Sequence, residues 1–214
     1  MNGVSFDEKH SIRDWDLLMT SKTIGEPTAV TSYVQIPGRD GSIDLTEALG
    51  EVRYTNRQLI FQFDIFQNAE EWWELKQTIS SYLHGRKRRI ILDVDPNYYY
   101  EGRCSVTSFY NETTVGHITV ECECLPYKMM TAETVISKNV TATDTIILNN
   151  QRKTVMPTVK ATGDIVFKFE DKQFSISSTT TLQSPDFMLK EGNNIVTIVS
   201  GSGSITFTYR EGTL

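Results

Sequence analysis

The chain has 214 residues, 39% of them hydrophobic and 22% charged, with a net charge of −6. That length suits one large β domain or two modules of roughly 100 residues each, and no apolar run reaches the ~18 residues that a membrane-spanning helix requires. Residues 1–128 hold 19 acidic and 13 basic side chains and residues 129–214 hold eight of each, so the acidic half argues against the positive footprint of a nucleic-acid binder.

The opening stretch, Met1 to Thr20, spreads Phe6, Ile12, Trp15, Leu17 and Leu18 among charges. It has no apolar h-region, so no signal peptide is expected and the chain reads as made and kept in the cytoplasm unless it leaves inside an assembly. The same pattern predicts an extended arm or edge strand that needs a surface to pack against. From Thr28 to Ile36 the residues are strand-like, and the turn Pro37-Gly38-Arg39-Asp40-Gly41 stops them. A long strand is predicted over Val52 to Phe66, with clear alternation from Leu59 through Phe61, Phe63 and Ile65.

A helix follows. Asn68 with Glu71 has capping-box spacing, while Trp72, Leu75, Ile79, Tyr82 and Leu83 form one apolar stripe. Gly85 suits the C′ position, and Arg86-Lys87-Arg88-Arg89 suits the negative end of the dipole. Residues 90–94 predict a strand with a hairpin partner over 98–106, and Ile118, Val120, Cys122 and Cys124 alternate with Thr119, Glu121 and Glu123 in the next strand. Cys122 and Cys124 share one face roughly 6–7 Å apart, which disfavours a disulfide between them. Cys104 is placed to face them from a neighbouring strand, and all three read as small apolar residues of a reduced core.

Residues 129–150, rich in Thr, Ser and Asn, read as a connector with an edge strand. From Val155 onward short strands with Gly and Asn turns, among them Gly192-Asn193-Asn194 and Gly201-Ser202-Gly203, predict a β-sandwich or jelly roll. The expected division is 1–128, a connector at 129–150, and a second domain at 151–214 that takes in part of the connector. No residue pattern speaks for catalysis or for a cofactor. His10, His84 and His117 are dispersed, and Cys122-Glu123-Cys124 lacks the two-residue gap of zinc and redox motifs. No metal ligands, catalytic residues or enzyme activity are expected.

The order of turn 37–41, strand 59–66, helix ending at Leu83-His84-Gly85, hairpin at Tyr100-Glu101-Gly102-Arg103, then Pro126-Tyr127-Lys128 resembles the distal tail protein of siphovirus-type phages and prophages. The C-terminal Glu191-Gly192-Asn193-Asn194 and Thr208-Tyr209-Arg210-Glu211-Gly212 extend the resemblance to the whole chain. It implies a mainly β fold: an N-terminal tail-tube-like β-sandwich with one helix and a C-terminal galectin-like jelly roll. It also implies a homo-oligomeric ring of six copies, single or as two stacked rings, at the tail tip of a virion and made in the host bacterial cytoplasm. The ring would join the tail-tube protein to tail-tip, baseplate or receptor-binding proteins, with genome DNA passing through it unbound and no membrane involved.

Within that frame the candidates for contact between copies are Phe6, Trp15, Leu18, Trp73, Arg86, Arg88 and Tyr99. Glu121 and Glu123 are the candidates to line the lumen, beside Asp64. The alternatives are a carbohydrate-binding host-attachment module of a virion and another tube or baseplate component. The C-terminal module has no Trp, and its Phe residues and Tyr209 fall mostly at core-facing positions, which weighs against a sugar-stacking site.

Overall fold

The computed structural model describes residues 3–48, 50–66, 70–112 and 115–214. The chain divides into two compact units, residues 1–126 together with Leu214, and residues 127–213. The first comprises β1 (Val4–Phe6), β2 (Lys9–His10), α1 (Ser11–Trp15), β3 (Leu17–Ile24), β4 (Tyr33–Gln35), β5 (Ser42–Asp44), β6 (Arg57–Ile65), α2 (Trp72–Leu83), β7 (Arg86–Leu92), β8 (Tyr98–Glu112) and β9 (Val115–Cys124). Seven of its strands form one antiparallel sheet in the order β2-β1-β7-β8-β9-β6-β3.

That sheet is not flat. Strands β1 and β6 stand four places apart, about 19 Å at ~4.8 Å per strand. Yet the rings of Phe6 and Phe61 meet edge-on at 5.9 Å, so the sheet closes over on its own inner face. Leu59, Phe61, Phe63 and Ile65 of β6 all point into this core, as their alternation predicts, together with Ile118, Val120, Cys122 and Cys124 of β9. Helix α2 fills the remaining side with Trp72, Ile79 and Leu83. Each fully buried Phe or Leu contributes about 1.5–3 kcal/mol by leaving water.

Three local expectations change and one, glycine after the end of α2, holds. The first helical residue of α2 is Trp72, with Glu71 at the N-cap making no side-chain bond there; Asn68 lies outside the described residues. At the other end Gly85 takes φ +72° with open space where a Cβ would stand, so the need for glycine there is conformational alone. The basic run 86–89 is not a flank but the first half of strand β7, paired with β8 from Arg86↔Cys104 to Ile90↔Tyr100. And the N-terminal stretch is an integral part of the sheet, with Val4↔Leu92 and Phe6↔Ile90 in register across β1 and β7.

The second unit contains β10 (Lys128–Met130), β11 (Thr134–Val140), β12 (Thr145–Asn150), β13 (Thr158–Ala161), β14 (Ile165–Phe169), β15 (Lys172–Ile176), β16 (Thr181–Leu182), β17 (Gly192–Gly201), β18 (Gly203–Tyr209) and β19 (Gly212–Thr213). Two four-stranded sheets, β11-β18-β13-β16 and β12-β17-β14-β15, face each other as the predicted sandwich. Phe167 of one sheet meets Phe207 of the other edge-on at 6.0 Å, and Phe187 packs against both. The stretch 129–150 supplies strands β10, β11 and β12, so it is framework rather than connector.

Gly192-Asn193-Asn194 opens β17 instead of forming the turn itself. The buried Asn194 amide accepts from Lys190 N–H at 2.9 Å and donates to the carbonyls of Lys190 and Gly192 at 2.8 and 3.1 Å, closing the bend before the strand. At the next turn Gly201 has φ +94°, and a Cβ there would stand 2.0 Å from the Asp164 carbonyl.

Candidate functional site

No cluster of His, Cys, Asp and Glu able to hold a metal occurs among the described residues, and no helix there is long and apolar enough to cross a membrane. The surfaces that stand out are those where apolar or charged groups of the first unit are left open. Their placement follows from which strand or helix face each residue occupies.

Phe6 and Trp15 are buried, 6.2 Å apart ring to ring, and Trp15 also meets Tyr82 edge-on at 5.7 Å. Helix α1, which the sequence did not announce, brings Trp15 inward. Its N-cap is His10, whose Nδ1 accepts from Ile12 and Arg13 N–H at 3.1 and 3.3 Å. With Nδ1 an acceptor, the proton sits on Nε2 and is donated to Asp93 at 3.1 Å. Burial alone would raise the Asp93 carboxyl, but the bond from His10 and the N–H of Gly3 outweigh it and hold it below its usual range. Phe6 and Trp15 are therefore core residues of their own unit rather than open surface. Tyr99 is likewise buried, with the Arg89 guanidinium 5.0 Å over its ring.

Arg88 is also committed inside its protomer. It stacks 4.0 Å over the Tyr82 ring, donates to the Tyr82 carbonyl from Nε and Nη2 at 3.3 and 2.7 Å, and pairs with Asp7 at 3.0 Å. It thereby satisfies a last-turn carbonyl of α2, the part of the dipole reading that holds. Lys87 pairs with Glu101. Arg86, by contrast, is exposed.

Leu18 is 50% exposed on β3, the end strand of the sheet. Trp73 is 67% exposed on the outer face of α2, next to Phe109 at 5.3 Å, with the Lys76 ammonium 5.5 Å over its ring. Trp73, Lys76, Ser80, His84, Val106, Thr107, Ser108 and Phe109 line an open groove of about 380 Å³ between α2 and β8. A bulge between Val106 and Ser108 widens β8 here.

Glu121 and Glu123 lie on the outward face of β9, as their alternation predicts, with Asp64 on the same face of β6. Each has a polar neighbour. Gln58 Nε2 donates to Glu121 at 3.0 Å, Asn56 Nδ2 to Glu123 at 2.9 Å, and His117 Nδ1 sits 2.7 Å from Asp64. Arg103 stands directly across from Glu123 on β8, so the face carries both signs of charge.

Two features were not legible beforehand. Arg57 is only 2% exposed, paired with Glu26 at 2.8 Å and lying 5.4 Å from the Tyr100 ring centre; nothing in a period-2 pattern marks a buried cation. The other is an arm. Between β3 and β6 the chain continues as a narrow two-stranded ribbon, held by Gly25 N–H to Gln58 O, Thr55 N–H to Thr28 O, Val30 N–H to Arg53 O and the β4–β5 pairing. Val30, Tyr33, Val34, Ile36 and Leu45 are all exposed on it. The turn 37–41 was legible, but nothing signalled that the chain doubles back there as a ribbon or that its apolar residues would find no core.

In the second unit a groove of about 410 Å³ is lined by Lys160, Ala161, Thr162, Ser178, Thr179, Thr180, Thr181, Ser204 and Thr206, with no aromatic ring for a sugar to stack on.

No protein-family model and no curated protein sequence matches this chain. Among solved structures it resembles the Dit protein (gp 19.1) of phage SPP1, described as a paradigm of the hub adsorption apparatus in phages that infect Gram-positive bacteria. The two share 15% sequence identity and superpose with a TM-score of 0.74 over 100% of each chain. Both units, in their order along the chain, therefore have the fold of the SPP1 Dit hub protein.

Proposed function

We propose that this chain is a structural hub of a phage or prophage tail, in which six copies close a ring, single or as two stacked rings, between the tail tube and the tail tip. The observation that carries this reading is the full-length, two-unit likeness to the Dit hub, which a shared single domain would not produce. The exposed arm, the Leu18 edge and the free Arg86 supply surfaces that a monomer leaves unused. In this reading the second unit is a galectin-like sandwich on which tail-tip, baseplate or receptor-binding proteins dock. The face of Glu121, Glu123 and Asp64 lines the lumen and lets DNA pass without being held, and the protein resides in the virion after synthesis in the host bacterium.

Light scattering across a concentration series tests it. The expected mass is six or twelve times that of the 24.3 kDa chain; a single chain at every concentration overturns the self-assembled ring. The lumen assignment has its own readout. Glu121→Lys with Glu123→Lys should make the ring retard DNA in a gel while the native ring does not, and an unchanged gel would refute it.

A further inference from the structure

The arm and the Trp73 groove are two unsatisfied surfaces of opposite character on one unit. The arm is apolar along Val30, Tyr33, Val34 and Ile36, and between residues 28 and 55 it carries Asp40, Asp44, Glu47 and Glu51 against Arg39 and Arg53. An isolated two-stranded ribbon is marginal in water and needs a surface to lie on. None of its residues belongs to the core of its own unit. The groove offers the complement. It has an open indole and a phenyl ring at its wall, Lys76 and His84 as its titratable lining, and no carboxylate among the described lining residues. Arg86 and Arg103 follow on the strands at its His84 end.

We propose that the arm of one copy docks in the Trp73–Phe109 groove of the next, its apolar side chains against the two rings and its carboxylates toward Lys76. This inference rests on the ring reading and says which surfaces make the ring. Arm and groove are different patches, so the contact can repeat head-to-tail from copy to copy, as a closed ring requires. The length is adequate. The twelve residues from Gly25 to Ile36 reach up to roughly 40 Å when extended, against about 36 Å for the diameter of a 126-residue body.

The test uses charge reversal in the full chain. Asp40 and Glu47 are exposed and make no side-chain hydrogen bond or ion pair among the described residues, so Asp40→Lys with Glu47→Lys changes the arm without disturbing its own pairing. Lys76→Glu changes the groove. By light scattering each variant alone should fall to the mass of one chain. A one-to-one mixture should regain the ring mass, because every arm then meets a groove of opposite sign when the two variants alternate. Recovery in the mixture also shows that both variants are folded. If either variant alone keeps the ring mass, or the mixture stays at one chain while the native protein forms rings, arm-to-groove docking is wrong and the ring reading stands. A native protein that never exceeds one chain overturns both.

Discussion

Replacing Phe6 by Ala separates a core role from a contact role at the N-terminus. The ring is fully buried against Phe61 and Trp15, and truncating such a side chain costs about 3–5 kcal/mol in lost transfer and cavity energy. A unit of 127 residues unfolds with an entropy of about 0.27 kcal/mol/K at ~2.1 cal/mol/K per residue, so a loss of about 4 kcal/mol lowers its melting point by about 15 °C. Scanning calorimetry at a fixed protein concentration reads this, the concentration being held because assembly itself stabilises by mass action. Val94→Ala, at an exposed turn position of the same unit, serves as the control and should shift melting by no more than about 2 °C, within the ~0.5 kcal/mol of an ordinary surface substitution. The reasoning is refuted if Phe6→Ala melts within about 3 °C of the native protein and its only defect is loss of assembly.

Thiol chemistry offers a second check. Cys122, hydrogen-bonded to Cys104 and buried, has its thiol pushed well above the ordinary range, and burial pushes Cys124 up to about 12. The native protein should therefore leave Ellman's reagent uncoloured at pH 8, where a thiol of that acidity is roughly one ten-thousandth thiolate, and release three equivalents in denaturant; rapid reaction without denaturant would contradict it. The depressed Asp93 carboxyl contributes stability that is present above the unfolded carboxylate value near ~3.9 and lost as pH falls through the lower folded value. Asp93→Asn should thus be less stable than the native protein at pH 6, with the difference shrinking as the pH is taken below about 3.9 in urea titrations; equal stability at pH 6 would remove the His10–Asp93 pair from the account. In the second unit, Asn194→Ala removes the amide that donates to the carbonyls of Leu148, Lys190 and Gly192 and accepts from Lys190 N–H, at a cost of about 1–3 kcal/mol. A chemical denaturation midpoint unchanged by that substitution would show that the bend closes without it.

Much of the fold could be read from the sequence where a strand is long and has one wet face. Leu59 to Ile65 and Ile118 to Cys124 alternate cleanly, and the second unit's strands are punctuated by glycine and asparagine. The same rule fails where the periodic run is short or where a charge turns inward. Strand β1 is three residues long, too short to show a period, so Phe6 looked like part of an arm. Its partner β7 begins with four cations, and only the end of α2 explains why Arg88 folds back onto Tyr82. His10 is an uncommon helix cap, and without it nothing marked the turn that buries Trp15. Of the candidate contacts, Leu18, Trp73 and Arg86 are open on the surface; Phe6, Trp15, Arg88 and Tyr99 are enclosed or engaged within the protomer. The arm escaped notice because a ribbon wet on both sides leaves no alternation to detect.

The pairing of β1 with β7 sets a waiting time. Val4 registers with Leu92 and Phe6 with Ile90, so on the ribosome the first strand has only the two-residue β2 beside it and waits for its β7 partner until some 86 further residues are made, roughly 4–17 s at about 5–20 residues per second. During that interval Val4 and Phe6 are an apolar strand without a sheet, a target for chaperones or for the same strand of another nascent chain. Closure of the N-terminal unit along that edge therefore waits for β7, and how much of the chain closes correctly depends on how well three residues are shielded for those seconds.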